Sequence, residues 1–371
     1  MDSFTHLVLG GAIGAALAPA GQRRAAILAG AALNTVPDLD VLLLPLFTDD
    51  PVLLMTWHRS FLHSIFLLPL IGWLVWWVCR VRGKRVNSAP ARWFWLIQAC
   101  LLSHPLMDAC TVYGTSLLWP MQTPPAMWSL FFIIEPAFTL WLLLGCVIAW
   151  CSPKKPLGRR GAIAGVALAA LVIGVAGASK WKVDREADRT LAAIGLAHAP
   201  RFSTPMPFTT LLWRVVAMTP SGYVDAERSV FDEGPMVFRG HPSNVQALEQ
   251  AKAIGLPAVT RLDWFNHGFM RAQVQDGRLV LSDLRMGLDP TYTFNFAVAE
   301  QHAGDWQAVA PEQRKVPLPI SGASGFAKLL GAVWHRTWHH SDVPLRDAIV
   351  APQAQAAAAN PDGTPASSAS K

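Results

Sequence analysis

The sequence predicts a membrane-embedded α-helical bundle of about six spans, the first of them short, followed by a small extracytoplasmic α+β domain built on an antiparallel sheet. Three observations carry this. Of 371 residues, 52% are hydrophobic and only 15% charged, with a mean hydropathy of +0.30, which is too apolar for an ordinary soluble chain of this length. The excess lies in the first half: from Lys180 onward charges recur every few residues, and no run approaches the ~20 apolar residues that cross a bilayer. The second half instead shows polar/apolar alternation around turn residues. The expected units are a transmembrane domain at 1–179, a soluble domain at 180–350 and a disordered, low-complexity tail at 351–371.

The candidate spans are 5–20, 25–46, 61–79, 93–112, 129–150 and 161–178. The first is glycine-rich and lacks a basic leader, so it reads as a retained helix. Loop charge alternates sharply. Gln22-Arg23-Arg24, residues 80–92 and residues 154–160 are basic, whereas 47–58 is acidic to neutral and 113–128 carries no Lys or Arg. Placing every basic loop in the cytoplasm puts the N-terminus and residues 180–350 on the other side. Much of the net charge of +6 is then a topology signal, and no nucleic-acid partner is expected. Cys79, Cys100, Cys110, Cys146 and Cys151 all lie in the membrane half without a CxxC pair, which argues against a disulfide framework or a thiolate metal site.

In the soluble half, 211–218 and 223–230 read as strands joined by Thr219-Pro220-Ser221-Gly222. Residues 269–275 and 278–284 flank Asp276-Gly277, the favoured hairpin turn, and 292–299 alternates as a further strand. Residues 183–196 and 242–254 read as helices. His241, Asp263 and His267 lack ligand spacing and read as surface or turn residues. The cluster Trp334-His335-Arg336-Thr337-Trp338-His339-His340 reads as a solvated terminal segment.

Ionisable residues interrupt the apolar half at Pro37-Asp38-Leu39-Asp40, His58-Arg59-Ser60-Phe61-Leu62-His63-Ser64 and Ser103-His104-Pro105-Leu106-Met107-Asp108, with His6 ahead of them. Such groups cost several kcal/mol in a bilayer unless they pair or bind something. His104 and Asp108, spaced i, i+4, share a helix face. His58 and His63 flank a helix start with Ser60 as candidate N-cap. Pro37 is expected to end the preceding helix and hold the two aspartates extended. The topology puts all of them toward the non-cytoplasmic face. Nitrogen and oxygen donors without thiolate suit a divalent metal, zinc first, and more than four candidates leave one or two ions open. Glu135-Pro136, read as lying inside the fifth span, offers a buried carboxylate beside a kink.

Thr5-His6-Leu7, the three clusters above and Leu118-Trp119-Pro120 resemble, in order and spacing, the LexA-regulated inner-membrane-associated metal-dependent hydrolase family over about residues 1–180. That resemblance implies a bacterial inner-membrane protein with hydrolase activity. The order of elements is also distantly similar to zinc-dependent phospholipase C enzymes, which points toward phosphoesters. The expected function is therefore metal-dependent hydrolysis of an ester or phosphoester in a membrane lipid or lipid-linked substrate. The ligands are His6, Asp38, His58, His63, His104 and Asp108; Asp40 or Glu135 acts as base or bridge, and Arg59 stabilises an anionic transition state. Two rivals stand beside it: a structural metal beneath an external sensor or interaction domain, and an ion transporter, for which the internal repeat that such folds carry is missing.

Overall fold

A computed structural model describes residues 1–19, 21–316, 322–341, 343–345 and 347; the tail at 351–371 lies outside them. The N-terminal half contains α1 (Ser3–Leu17), α2 (Arg23–Thr35), α3 (Asp40–Leu43), α4 (Pro51–Trp57), α5 (Leu67–Arg82), α6 (Lys84–Asn87), α7 (Pro90–Ala109), α8 (Pro136–Cys151) and α9 (Pro156–Ala193), with single 3-10 turns at Pro37–Leu39, Leu44–Leu46 and Phe61–His63. Proline at the first turn opens α4, α7, α8 and α9, where its missing N–H costs nothing. Asp2 and Asp50 cap α1 and α4 by accepting backbone N–H bonds.

Among the described residues only α9, 38 residues long, is long and apolar enough to cross a membrane by itself. Two bent pairs, Arg23–Thr35 with Pro37–Leu46 (43°) and Pro51–His63 with Leu67–Arg82 (56°), would add two more if each is one span. The six-span expectation thus reduces to one clear span or up to three, with α1 and α8 as shorter apolar helices. The reason is that proline and polar clusters break what composition reads as continuous. The bundle's outer surface is nonetheless apolar: Trp73, Trp77, Leu140, Leu144, Val147 and Leu171 all point outward, as a lipid-facing surface requires.

The polar features sort to the two ends of this bundle. At one end the basic loops meet: Gln22 donates to Ser88 Oγ (2.6 Å) and Arg23 to the carbonyls of Ser152, Pro153 and Lys155 (3.1, 2.7 and 3.2 Å). At the other end lie His6, Asn34, His63, His104 and Asp108, capped by the C-terminal domain.

That domain holds two four-stranded antiparallel sheets. The first runs β1 (Arg201–Pro205), β2 (Leu212–Thr219), β3 (Gly222–Ser229), β4 (Arg239–Pro242) in spatial order. Next in the chain come α10 (Val245–Ile254), α11 (Pro257–Phe265), β5 (Met270–Gln275), β6 (Arg278–Asp283), a two-residue ribbon of β7 (Gly287–Leu288) and β8 (Thr291–Tyr292), β9 (Asn295–His302), β10 (Asp305–Gln313) and α12 (Gly322–Trp338). The second sheet has the order β10-β9-β6-β5. Both expected hairpins form; at the second, Asp276 and Gly277 take φ of 51° and 76°, the left-handed pair of a type I′ turn. The helix expected at 183–196 is the far end of α9, so one unbroken helix joins the halves. β1, β4, β10 and α11 carry weak periodicity and were not expected.

The halves are packed together. Arg261 of α11 donates to Thr56 Oγ1 (2.9 Å) and to the Thr56 carbonyl (3.1 Å), and His267 meets the Pro125 carbonyl at 2.9 Å. Tyr113 inserts against Phe265 and Phe294. His267 is therefore an interdomain contact, not a free turn residue, and Asp263 pairs with Lys252 at 2.8 Å.

Candidate metal centre

α2 stops at Thr35 because Pro37 follows, and a helix leaves its last carbonyls without partners. The Asn34 carbonyl is one of these, and it accepts the Nδ1–H of His104 at 2.5 Å. With the single proton of a neutral imidazole committed there, His104 Nε2 presents a lone pair. It faces His63 Nε2 at 3.1 Å, Asp108 Oδ2 at 3.2 Å and Asp38 Oδ1 at 3.3 Å. His63 Nε2 in turn lies 3.2 Å from Asp108 Oδ2 and 3.7 Å from Asp38 Oδ1. Four acceptor atoms thus converge in a space closed to water on three sides, since His63, His104 and Asp108 are fully buried; only the Asp38 side chain, 22% exposed, reaches outward.

Nitrogen and carboxylate oxygen atoms packed this closely need a proton or a cation between them. Donors 2.0–2.1 Å from a tetrahedral ion stand about 3.3 Å from one another, and the five separations above run from 3.1 to 3.7 Å. Asp108 Oδ2 moreover has no hydrogen-bond partner, an expensive state for a buried carboxylate oxygen. The residues fit a divalent cation by spacing, by donor chemistry and by unmet demand.

The other sequence candidates stand around this group. His6 lies beneath it, stacked on His104 with ring centroids 3.7 Å apart. Asn34 spends its amide hydrogens on the Cys100 carbonyl (2.7 Å) and Ser103 Oγ (2.8 Å), so its oxygen accepts from His6 Nδ1 (3.2 Å), and His6 Nε2 meets Asp108 Oδ1 at 3.1 Å. Asp108 Oδ1 also receives Arg59 (3.2 Å) and the Met1 ammonium. His6 thus braces Asp108 and is not one of the four converging donors.

His58 stands outside the four as well. Its Nδ1–H donates to Asp40 Oδ1 (2.9 Å), while Asp40 Oδ2 accepts the Arg59 backbone N–H (2.9 Å) and lies 3.5 Å from His63 Nδ1, too poorly aligned to bond. Asp40 is fully buried and committed through both oxygens, which suits it to orienting imidazoles and not to acting as a base. Arg59 adopts a left-handed φ of 62°, a conformation costing about 1–3 kcal/mol that clusters at functional sites. Its guanidinium donates to Thr111 Oγ1 (3.0 Å) and lies over the Tyr113 ring (4.9 Å).

Three local expectations are corrected. Glu135 caps α8, accepting from the Ala137 N–H (3.3 Å), with Pro136 opening that helix and not kinking it; its other carboxylate oxygen is buried without a hydrogen-bond partner. Asp38 and Asp40 sit in helical turns and not in extended chain, so proline breaks the helix without straightening it. Ser60 makes no cap; its hydroxyl donates to the Trp57 carbonyl (2.5 Å), while Ser64 Oγ accepts from Phe66 and Leu67 at the start of α5. Asn34, Thr111 and Tyr113 were not among the candidates. The signal for Asn34 was available, an amide inside an apolar helix one turn before a proline.

A cleft of about 610 Å³ opens between the loops of the bundle and α11, lined by Trp57, Ser60, Ser116, Trp119, Arg261 and Trp264 among others. Ser116 binds the Arg59 carbonyl (2.9 Å), tying the cleft wall to the centre.

Residues 1–183 match the family model described as YdjM inner membrane protein; this half of the chain is similar to an inner-membrane family. No curated protein and no solved structure matches.

Proposed function

We propose that this inner-membrane half is a metal-dependent hydrolase acting on an ester or phosphoester, with His63, His104, Asp38 and Asp108 holding a zinc-class ion on the non-cytoplasmic side. The observation that carries the reading is the convergence of two imidazole nitrogens and two carboxylate oxygens within 4.8 Å of one another. A divalent cation bound there would supply Lewis acidity toward an ester or phosphoester oxygen.

The chain's own residues supply the rest. Asp40 fixes the His58 tautomer by taking its Nδ1–H, and His58, 21% exposed beside the cleft, is the group placed to carry a proton between water and the leaving oxygen. Arg59 offers a fixed positive charge at the cluster's edge, desolvated against Tyr113, where negative charge would develop. The tryptophans of the cleft give apolar walls for an acyl or polyprenyl portion, which supports a lipid or lipid-linked substrate.

A specific observation favours one competing reading. Four donors complete a tetrahedral set, and three of them are fully buried, as in structural metal centres that keep no open position.

The discriminating experiment uses the full chain purified in detergent, with metal content measured beside turnover of chromogenic phosphodiesters and lipid phosphoesters. His104→Ala is expected to lose both metal and turnover. His58→Ala is expected to keep the metal while turnover falls about 10²–10⁴-fold, the usual share of a general acid–base group. Metal in the unsubstituted protein that is lost in His104→Ala, with turnover in neither across ester and phosphoester substrates, would leave the structural reading standing.

A further inference from the structure

α12 carries Phe326, Leu330, Trp334 and Trp338 at four-residue spacing, all turned to solvent, with Trp334 68% exposed. The helix is nevertheless held firmly. Leu329, Ala332 and Val333 pack against Met206 and Leu212, and Arg336 grips Asp232 through both guanidinium nitrogens (3.0 and 2.7 Å). The aromatic stripe is therefore presented by a fixed helix whose core-facing side is already satisfied.

Two independent contacts set its height. Toward its first turn, Phe326 packs on Phe208 (5.4 Å), which packs on Phe132 (6.0 Å), four residues before α8 begins. At its other end, Trp338 stacks on Phe231 (4.8 Å); the neighbouring Val230 carbonyl accepts from Lys182 (2.5 Å), just beyond the apolar stretch of α9 and next to the exposed Trp181. Both ends thus stand level with the outer limit of the apolar helices.

We propose that α12 lies in the plane of the membrane's outer interface, with its Phe326–Leu330–Trp334–Trp338 stripe seated among lipid headgroups and the adjoining acyl chains. The stripe continues through Phe208 and Phe132 into the bundle's own apolar surface, so lipid covering the one reaches the other. Indoles favour that depth. Lys328 and His335 are exposed on the same helix and His339 directly after it, and cations beside an apolar stripe are what an interfacial helix offers to anionic headgroups. The α+β domain would then be held to the membrane twice, by α9 and by α12, which fixes its tilt over the metal cluster.

The test places single nitroxides on Leu330→Cys, Trp334→Cys and His335→Cys in the full chain, with the exposed native thiol removed as Cys151→Ser, one copy per nanodisc of phosphatidylethanolamine and phosphatidylglycerol. All three positions are exposed, so the fold tolerates them. The ratio of oxygen to nickel-chelate accessibility is expected to be several-fold higher at 330 and 334 than at 335, and to fall to the value at 335 when Trp338→Glu and Phe326→Glu are added. Water-like values at all three positions would overturn the proposal in favour of a solvated helix. Exclusion of both reagents at 330 and 334 would overturn it in favour of a protein partner.

Discussion

At the scale of single residues, the centre depends on groups that hold others. Asp40 fixes His58 through one oxygen and the Arg59 backbone through the other, and it faces His63 Nδ1. Carboxylates in that position set imidazole orientation and basicity, so Asp40→Asn is expected to weaken metal affinity about 10–100-fold, measured by competition with a chelator, while the helical content is retained. A second histidine behaves differently. His241, expected at the surface, is buried between Asp225 (2.8 Å) and Asp289 (3.6 Å) and stacked on Tyr223. The hydrogen bond to Asp225, then that to Asp289, raises its pKa from 6.5 to about 9. Because the folded value lies above the unfolded one, its stabilisation is complete below about pH 6.5 and is lost as pH rises through about 9. Chemical denaturation of the α+β domain should show stability declining over that window, and His241→Ala should flatten the decline.

At the scale of elements, what matters is where helices stop and how closely they approach. The breaks after Thr35 and around His58–His63 carry Asp38, Asp40, His58 and His63. Non-helical backbone at membrane depth is tolerated where protein covers it, so broken elements and ligands coincide. α1 and α2 cross at glycines: a Cβ on Gly10 would stand 2.1 Å from the Gly30 carbonyl oxygen, and one on Gly30 would stand 2.1 Å from that of Gly10. Backbone cannot yield as a side chain would. Gly10→Ala is expected to cost about 1–3 kcal/mol, read as a lowered melting temperature in detergent. Since Gly10 lies one turn from His6, and Gly30 one turn from Asn34, bound metal should fall as well. The glycine pair Gly10-Gly11, which in the sequence suggests only helix packing, thus also sets the spacing of the centre.

At the scale of the whole molecule, the two ends of the bundle differ in kind. Basic loops gather at one, the ionisable cluster and the α+β domain at the other, and the orientation expected from loop charge can be tested on this difference. Alkaline phosphatase fused after Lys180 is expected to be active and a cytoplasmic fluorescent reporter at the same point dark; the reverse pattern would put the metal cluster on the cytoplasmic side. The interdomain contacts through Arg261, His267 and Tyr113 indicate that the α+β domain closes over this end, forming one wall of the cleft.

Much of this was legible in the chain because it rests on local rules. Apolar content marked the membrane half, alternation about Asp276-Gly277 marked a hairpin, and the i, i+4 spacing of His104 and Asp108 put both on one helix face. Other features depend on residues far apart. Whether His58 joins the ion or serves Asp40, whether His241 meets water or two carboxylates, and whether Glu135 ends a helix or sits inside one are decided by packing between segments that periodicity treats separately. The number of spans was misjudged for a related reason, since composition measures how much of a stretch is apolar but not whether proline divides it. By itself the sequence determined a membrane helical half, an antiparallel half and the residue types of the candidate metal centre. Only the tertiary structure decided which four of those residues converge, because they come from separate segments and the ring of His104 is aimed by its bond to the Asn34 carbonyl, far away in the chain.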